Sequence, residues 1–335
     1  MTAMLAATTL IPGLALEWTT VPSGVTARLR GVSVASDRVV WASGAEGTVV
    51  RSADGGATWQ RLPIPDTGVL DFRDIDAVSE SVAYVLSIGP GERSRIYKTS
   101  DAGRSWIRQF VSDDPSAFFD AMAFWDANRG VAFSDSANGR FHVRVTTDGG
   151  ASWPRVPADR LPPALPDEGA FAASGTNVAT FGTRHVWIGT GAAAQARVLR
   201  STDGGQTWDV SVTPLAAGPS SGIFSVAFRD ATHGIVVGGD YTKESDAVRN
   251  AAVTDDGGVT WTLVDGLTGF RSVVRFLPDG GPGVMAIGPS GADYSPDGGR
   301  TWRVVQGPGF HAFGASPGGQ FGVGVGEGGR IGLLR

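Results

Sequence analysis

The chain has 335 residues, with 28 basic and 33 acidic side chains, a formal net charge of −5 and a pI near 5.4. This balance gives no basic face of the kind duplex nucleic acid demands, so no nucleic-acid partner is expected. The absence of cysteine excludes disulfides, cysteine-ligated zinc and thiol catalysis.

In chain order, the first feature is an uncharged apolar tract from Ala3 to Leu16. It is too short to cross a bilayer, which takes about 20 residues as a helix. Two readings stand for residues 1–15: a degenerate signal segment, with Gly13 and Ala15 as the small residues before a cleavage point but no preceding lysine or arginine, or a retained arm that docks on a membrane surface or a partner. Residues 16–335 read as one domain.

Six copies of one motif divide that domain. They are Ser52-Ala-Asp54-Gly-Gly-Ala-Thr58-Trp59, Thr99-Ser-Asp101-Ala-Gly103-Arg-Ser105-Trp106, Thr146-Thr-Asp148-Gly-Gly150-Ala-Ser152-Trp153, Ser201-Thr-Asp203-Gly-Gly205-Gln-Thr207-Trp208, Thr254-Asp-Asp256-Gly-Gly258-Val-Thr260-Trp261 and Ser295-Pro-Asp297-Gly-Gly299-Arg-Thr301-Trp302. The tryptophans are spaced by 47, 47, 55, 53 and 41 residues, the period of a four-stranded propeller blade. Aspartate accepts backbone N–H bonds in a turn, glycine supplies positive φ, and tryptophan opens the next strand as a buried wedge. A calcium-ligand reading of the aspartates lacks the further carboxylates a calcium loop needs, so no metal or cofactor is expected.

Between the motifs one order recurs. The first blade runs Leu29 to Val34, Val39 to Ala42, Thr48 to Arg51 and Trp59 to Leu62. Later first strands are expected at Phe72 to Val78, Phe119 to Phe124, Phe171 to Ser174, Phe224 to Phe228, Phe270 to Phe276 and Phe310 to Ala315. That makes seven first strands for six motifs. The C-terminal stretch from Phe310 supplies only three strands, and Leu16-Glu-Trp18-Thr-Thr-Val21 matches the strand that follows each motif. The expected fold is all-β: a seven-bladed propeller of four-stranded antiparallel blades, its last blade closed by the N-terminal strand. Trp18, Trp59, Trp106, Trp153, Trp187, Trp208, Trp261 and Trp302 are expected in the core.

The motif resembles the Asp-box, or BNR repeat, of sialidases, sortilin-type receptors and some glucanases. The chain as a whole, through stretches such as Phe224-Ser-Val-Ala-Phe-Arg-Asp-Ala-Thr-His-Gly234 and Gly44 through Trp59, most resembles the photosystem II stability/assembly factor family. That resemblance implies a non-catalytic factor, periplasmic or lumenal and peripheral to a membrane. Its partners would be subunits of a membrane complex, such as photosynthetic reaction-centre or antenna proteins, held through an arginine-rich surface.

Aligning the first strands puts Arg30, Arg73, Arg271 and His311 at equivalent positions, on the face opposite the motifs, where they would ring the channel mouth. Such a mouth attracts a carboxylate, an acidic peptide terminus or a lipid phosphate. The alternative is that each arginine pairs with Asp74, Asp76, Asp120 or another carboxylate and closes the channel. Arg28, Arg95, Arg140 and Arg249 would extend the patch. The long loop from Gly238 to Asn250 adds Tyr241, Lys243 and Arg249 as a recognition loop or a merely solvated one.

The alternative function is a glycoside hydrolase or sialidase-like enzyme. Against it stand the missing Arg-Ile-Pro signature, a single plausible mouth pair in Tyr241 and Glu244, and seven blades where sialidases have six. Paired carboxylates among Asp74, Asp76, Asp120 and Asp240 would revive it if held at about 5 to 10 Å. His142, His185, His233 and His311 show no metal spacing.

Overall fold

The computed structural model describes residues 16–335, so the arm expected at 1–15 lies outside the described residues. Seven antiparallel sheets follow one another as blades. Each carries its strands in sequence order, except the seventh. There Trp18–Val21 pairs with Ile331–Leu334, in a sheet completed by Gly322–Val325 and Ala312–Ala315. The N-terminal strand thus closes the ring, in register from Trp18 opposite Leu334 to Val21 opposite Ile331.

The third blade differs in its outermost strand. Phe119–Phe124, Gly130–Ala137 and Arg140–Thr146 form the sheet, and the fourth segment is reduced to a single bridge between Arg144 and Arg155. Val145 N–H donates to Pro154 O and Val156 N–H to Val143 O, but Pro154 and Pro157 offer no N–H to extend the ladder.

The six repeated turns share one hydrogen-bond scheme. In the first, Asp54 accepts the Thr58 N–H at 2.9 Å and both the Ser52 and Thr58 hydroxyls, at 2.8 and 2.6 Å, while Ser52 Oγ accepts the Gly56 N–H at 2.8 Å. The carboxylate is occupied by its own turn, and among the described residues no cluster of potential ligands is arranged to hold a metal ion. The second glycine packs on the neighbouring blade: a Cβ on Gly56 would stand 2.7 Å from Leu333 Cδ2.

Three corrections to the sequence reading follow. The first strand of the fourth blade is Val178–Phe181, not Phe171 to Ser174. There the chain makes a tight turn, with Ala173 N–H on Phe171 O, and Gly175 at φ +72°. The strands expected at Phe270 and Phe310 begin later, as Val273–Phe276 and Ala312–Ala315. Finally, only Trp153, Trp187 and Trp208 of the expected tryptophans are buried. Trp18, Trp59, Trp106, Trp261 and Trp302 are half-buried beside the outermost strands, each packed against the edge of a blade-interface core. Trp41, on a second strand, is wholly buried.

Candidate functional site

The site begins with an irregularity repeated in the innermost strands. In four blades the first strand carries one residue more than its partner. The pairing steps from Leu29–Gly44 to Gly31–Ser43, from Phe72–Ser87 to Asp74–Leu86, from Phe119–Ser134 to Ala121–Phe133 and from Ile223–Gly238 to Ser225–Val237. The extra residues are Arg30, Arg73, Asp120 and Phe224. A β-bulge re-aims a side chain that a regular ladder would hold perpendicular to the sheet. All four side chains line one basin of about 640 Å³ at the channel mouth, on the face opposite the repeated turns, together with Arg28, His311, Glu327 and Tyr241.

The cations of this basin are not equivalent. Arg73 Nε donates to Asp71 Oδ2 at 2.9 Å and its Nη1 to Ala172 O at 2.8 Å. Arg28 lies 3.7 Å from Asp71 and 4.0 Å from Glu327. Arg30, between them, makes no ion pair and no side-chain hydrogen bond among the described residues, and its Nε is buried without a partner. Burial first, then the charges of Arg73 and Arg28, push its pKa down to about 10, so it stays protonated at neutral pH. His311 is shifted to about 4 by burial and by Arg30, which leaves it neutral, with Nε2 2.8 Å from Glu327 Oε1. Two acids, Asp71 and Glu327, are therefore engaged by Arg28, Arg73 and His311, and the guanidinium of Arg30 is left without an ion pair among the described residues.

Asp120 and Asp135 share a hydrogen bond beneath this rim. Burial, then the neighbouring Asp135, raises Asp120 well above the ordinary carboxylate range, and burial raises Asp135 too, so the pair holds a proton between them. Asp135 accepts the Ala170 N–H at 2.8 Å. The pair is in direct contact, whereas glycoside hydrolysis needs carboxyls about 5 to 10 Å apart. Tyr241 and Glu244 both line the basin but make no hydrogen bond to each other.

The opposite wall is aromatic. Phe171 and Phe224 stack at 4.0 Å with their planes 4° apart, Phe270 meets Phe224 edge-on at 4.6 Å, and Tyr241 stands edge-on to both at 6.0 and 6.1 Å.

Several expected site residues fall elsewhere. Arg271 does not face the mouth: its side chain is fully buried, with Nη2 2.6 Å from Asp293 Oδ2, Nε donating to the same oxygen at 2.8 Å and Nη1 donating to Phe270 O. Blade six lacks the bulge at this point, and Asp293 on its own third strand, Gly291–Ser295, draws the guanidinium inward. Lys243 is exposed and 3.7 Å from Asp240, and Arg249 Nε donates to Pro214 O at 2.6 Å; neither lines the basin. Asp74 and Asp76 do not pair with the rim arginines. They lie deeper in the channel, accept the Met122 and Phe124 N–H groups at 2.7 and 2.8 Å, and face Arg275, whose side chain is enclosed by protein yet open to the lumen. Arg28 joins the site, and Arg95 and Arg140 do not. The aromatic wall was missed: its sequence signal is that Phe171, Phe224 and Phe270 recur once per blade in the stretches that lead into or form the first strands of blades four to six.

No family model matches the sequence, and no curated protein matches it. Solved structures match it in fold. YCF48 bound to D1 peptide shares 16% identity over 94% of this chain and 96% of that chain, with a TM-score of 0.67. YCF48 from Cyanidioschyzon merolae shares 18% over 95% and 98%, also at 0.67. The WD40 beta propeller domain of Doa1 shares 14% over 97% and 98%, at 0.65. The chain is therefore similar in fold to YCF48, the photosystem II assembly factor that the sequence resemblance points to, and nearly as similar to a WD40 propeller.

Proposed function

We propose that this protein is a non-catalytic binding factor that holds an anionic segment of a partner protein in the mouth basin. The observation that carries this reading is Arg30: a charged, largely enclosed guanidinium between two like charges, with no ion pair of its own among the described residues. Enclosing such a group without an anion is costly, and a carboxylate arriving in the basin recovers charge-assisted hydrogen bonds of about 1.5–3 kcal/mol each. The similarity in fold to a YCF48 structure with a bound D1 peptide supports peptide binding as the mode.

The sequence resemblance extends the proposal to a membrane complex on the periplasmic or lumenal side, with a photosynthetic reaction-centre subunit as the partner in a phototrophic source. Tagged protein is recovered with a mild detergent from source membranes, beside an Arg30→Ala/Arg73→Ala form. Co-purification of membrane subunits with the native protein only is the expected result. Recovery of the same subunits by both forms, or of none by either, would overturn the reading. Cell fractionation tests the compartment.

A further inference from the structure

The basin has two unlike halves. Blades one and two supply Arg28, Arg30 and Arg73; blades four to six supply Phe171, Phe224, Phe270 and Tyr241, lining the same cavity of about 640 Å³. Phe224 occupies the bulge position that holds Arg30 and Arg73 in other blades, so the backbone device that aims the cations into the mouth also aims this ring. Phe270 and Phe224 are buried beneath the wall, at 3% and 2% exposure, whereas Tyr241 is 49% exposed. The loop from Tyr241 to Asn250 brings that ring to within 6.1 Å of the stacked pair although it has little support of its own. A large ring held open to solvent against a preformed aromatic stack is a surface arranged for an apolar side chain.

We propose that the aromatic wall is a specificity subsite, which receives a large apolar or aromatic side chain from the same peptide whose carboxylate lies on Arg30. The inference rests on the peptide-binding reading above and adds to it the choice of peptide. The cavity volume lies within the range of about 300–1,000 Å³ typical of small-ligand pockets, so anion and side chain are taken by adjacent residues rather than distant ones. The occupant is a peptide rather than a lipid headgroup, because the aromatic rings and the cations line one cavity and a headgroup has no large apolar group to set against the rings.

The test uses the full chain and fluorescein-labelled peptides of one neutral Gly/Ser body, read by fluorescence anisotropy. The set ends in Phe, Leu or Ala with a free carboxylate, in Phe with an amide, or in an amide after an internal Asp-Phe pair. The Phe and Leu acids are expected to bind at least about tenfold more tightly than the Ala acid. Tyr241→Ala and Phe171→Ala bring that ratio below about threefold, Tyr241→Phe preserves the ratio, and Arg30→Ala weakens all acids alike. The amidated peptides distinguish a chain-terminal carboxylate from a side-chain one. Equal binding of the Phe and Ala acids, or a ratio that survives both alanine variants, overturns the subsite while the carboxylate reading stands. Loss of no affinity on removing every carboxylate overturns the underlying reading instead. Preference for phosphatidylglycerol vesicles over every peptide overturns both.

Discussion

Arg30 and Arg271 occupy corresponding places in two blades, yet one is left without an ion pair and the other is locked to Asp293. Their substitution therefore separates stability from binding. Arg271→Ala strands a buried carboxylate and is expected to cost about 3–5 kcal/mol, read by urea denaturation. Arg30→Ala removes a largely enclosed charge that has no ion pair among the described residues and should leave the denaturation midpoint unchanged or slightly raised while weakening ligand binding. The Asp120–Asp135 pair gives a pH dependence of definite sign. Because the folded-state pKa of Asp120 is raised above the unfolded value of about 3.9, its contribution is fully present below about pH 4 and is lost as pH rises towards the folded value. Asp120→Asn keeps a donor for Asp135 without ionising. It is expected to denature later than the native chain at pH 7 and to show no such advantage at pH 3.

The repeated turn is the element that makes each blade, and its aspartates titrate the opposite way. Hydrogen bonds from Ser105 and Ser152 hold Asp101 and Asp148 at about 2. A depressed pKa contributes stability that is present above about pH 4 and lost as pH falls towards 2, so Asp101→Asn and Asp148→Asn should flatten the acid limb of the stability profile. One turn departs from the others. Ala102 adopts φ +62° where Gly55, Gly149, Gly204, Gly257 and Gly298 stand in the other copies. A left-handed alanine costs roughly 1 kcal/mol, and Ala102→Gly should raise the unfolding free energy by about 0.5–1 kcal/mol after the entropy of the unfolded glycine is offset. Much of this was legible locally. The motif carries its own donors and acceptors within a few residues, so its geometry follows from its composition. The bulges were not legible: nothing in Leu29-Arg30-Gly31 or Phe72-Arg73-Asp74 announces an unpaired residue, because a bulge is a property of two strands.

At the scale of the ring, everything depends on four residues pairing with the far end of the chain. Glu17 and Arg335 exchange backbone hydrogen bonds at 3.1 and 3.2 Å, and Trp18 packs on Phe310 at 4.5 Å. A chain beginning at residue 22 leaves Ile331–Leu334 as an open sheet edge, which is expected to broaden the unfolding transition and promote self-association, read by calorimetry and size-exclusion chromatography. Adding a synthetic peptide of residues 16–22 should restore a monomeric, cooperative transition. Failure of that truncation to change either measurement would mean that the seventh blade is stable with three strands.

The sequence by itself determined the number of blades, their strand order and the closure, because period, motif and a missing fourth strand are one-dimensional quantities that pairing rules convert directly into a ring. It also named Arg30, Arg73 and His311, since equivalent positions in a repeat must come together around its axis, and Tyr241, since the longest loop on that face carries it. Only the tertiary structure decided which of the aligned cations is free. The outcome for Arg271 turns on Asp293 across its own blade, that for Arg73 on Asp71, and that for Arg30 on Asp71 and Glu327 being engaged by Arg28, Arg73 and His311. The aromatic wall likewise arose from rings of three blades and one long loop meeting across the mouth. Charge compensation and aromatic packing depend on distances between blades, and a repeat period carries no information about those distances.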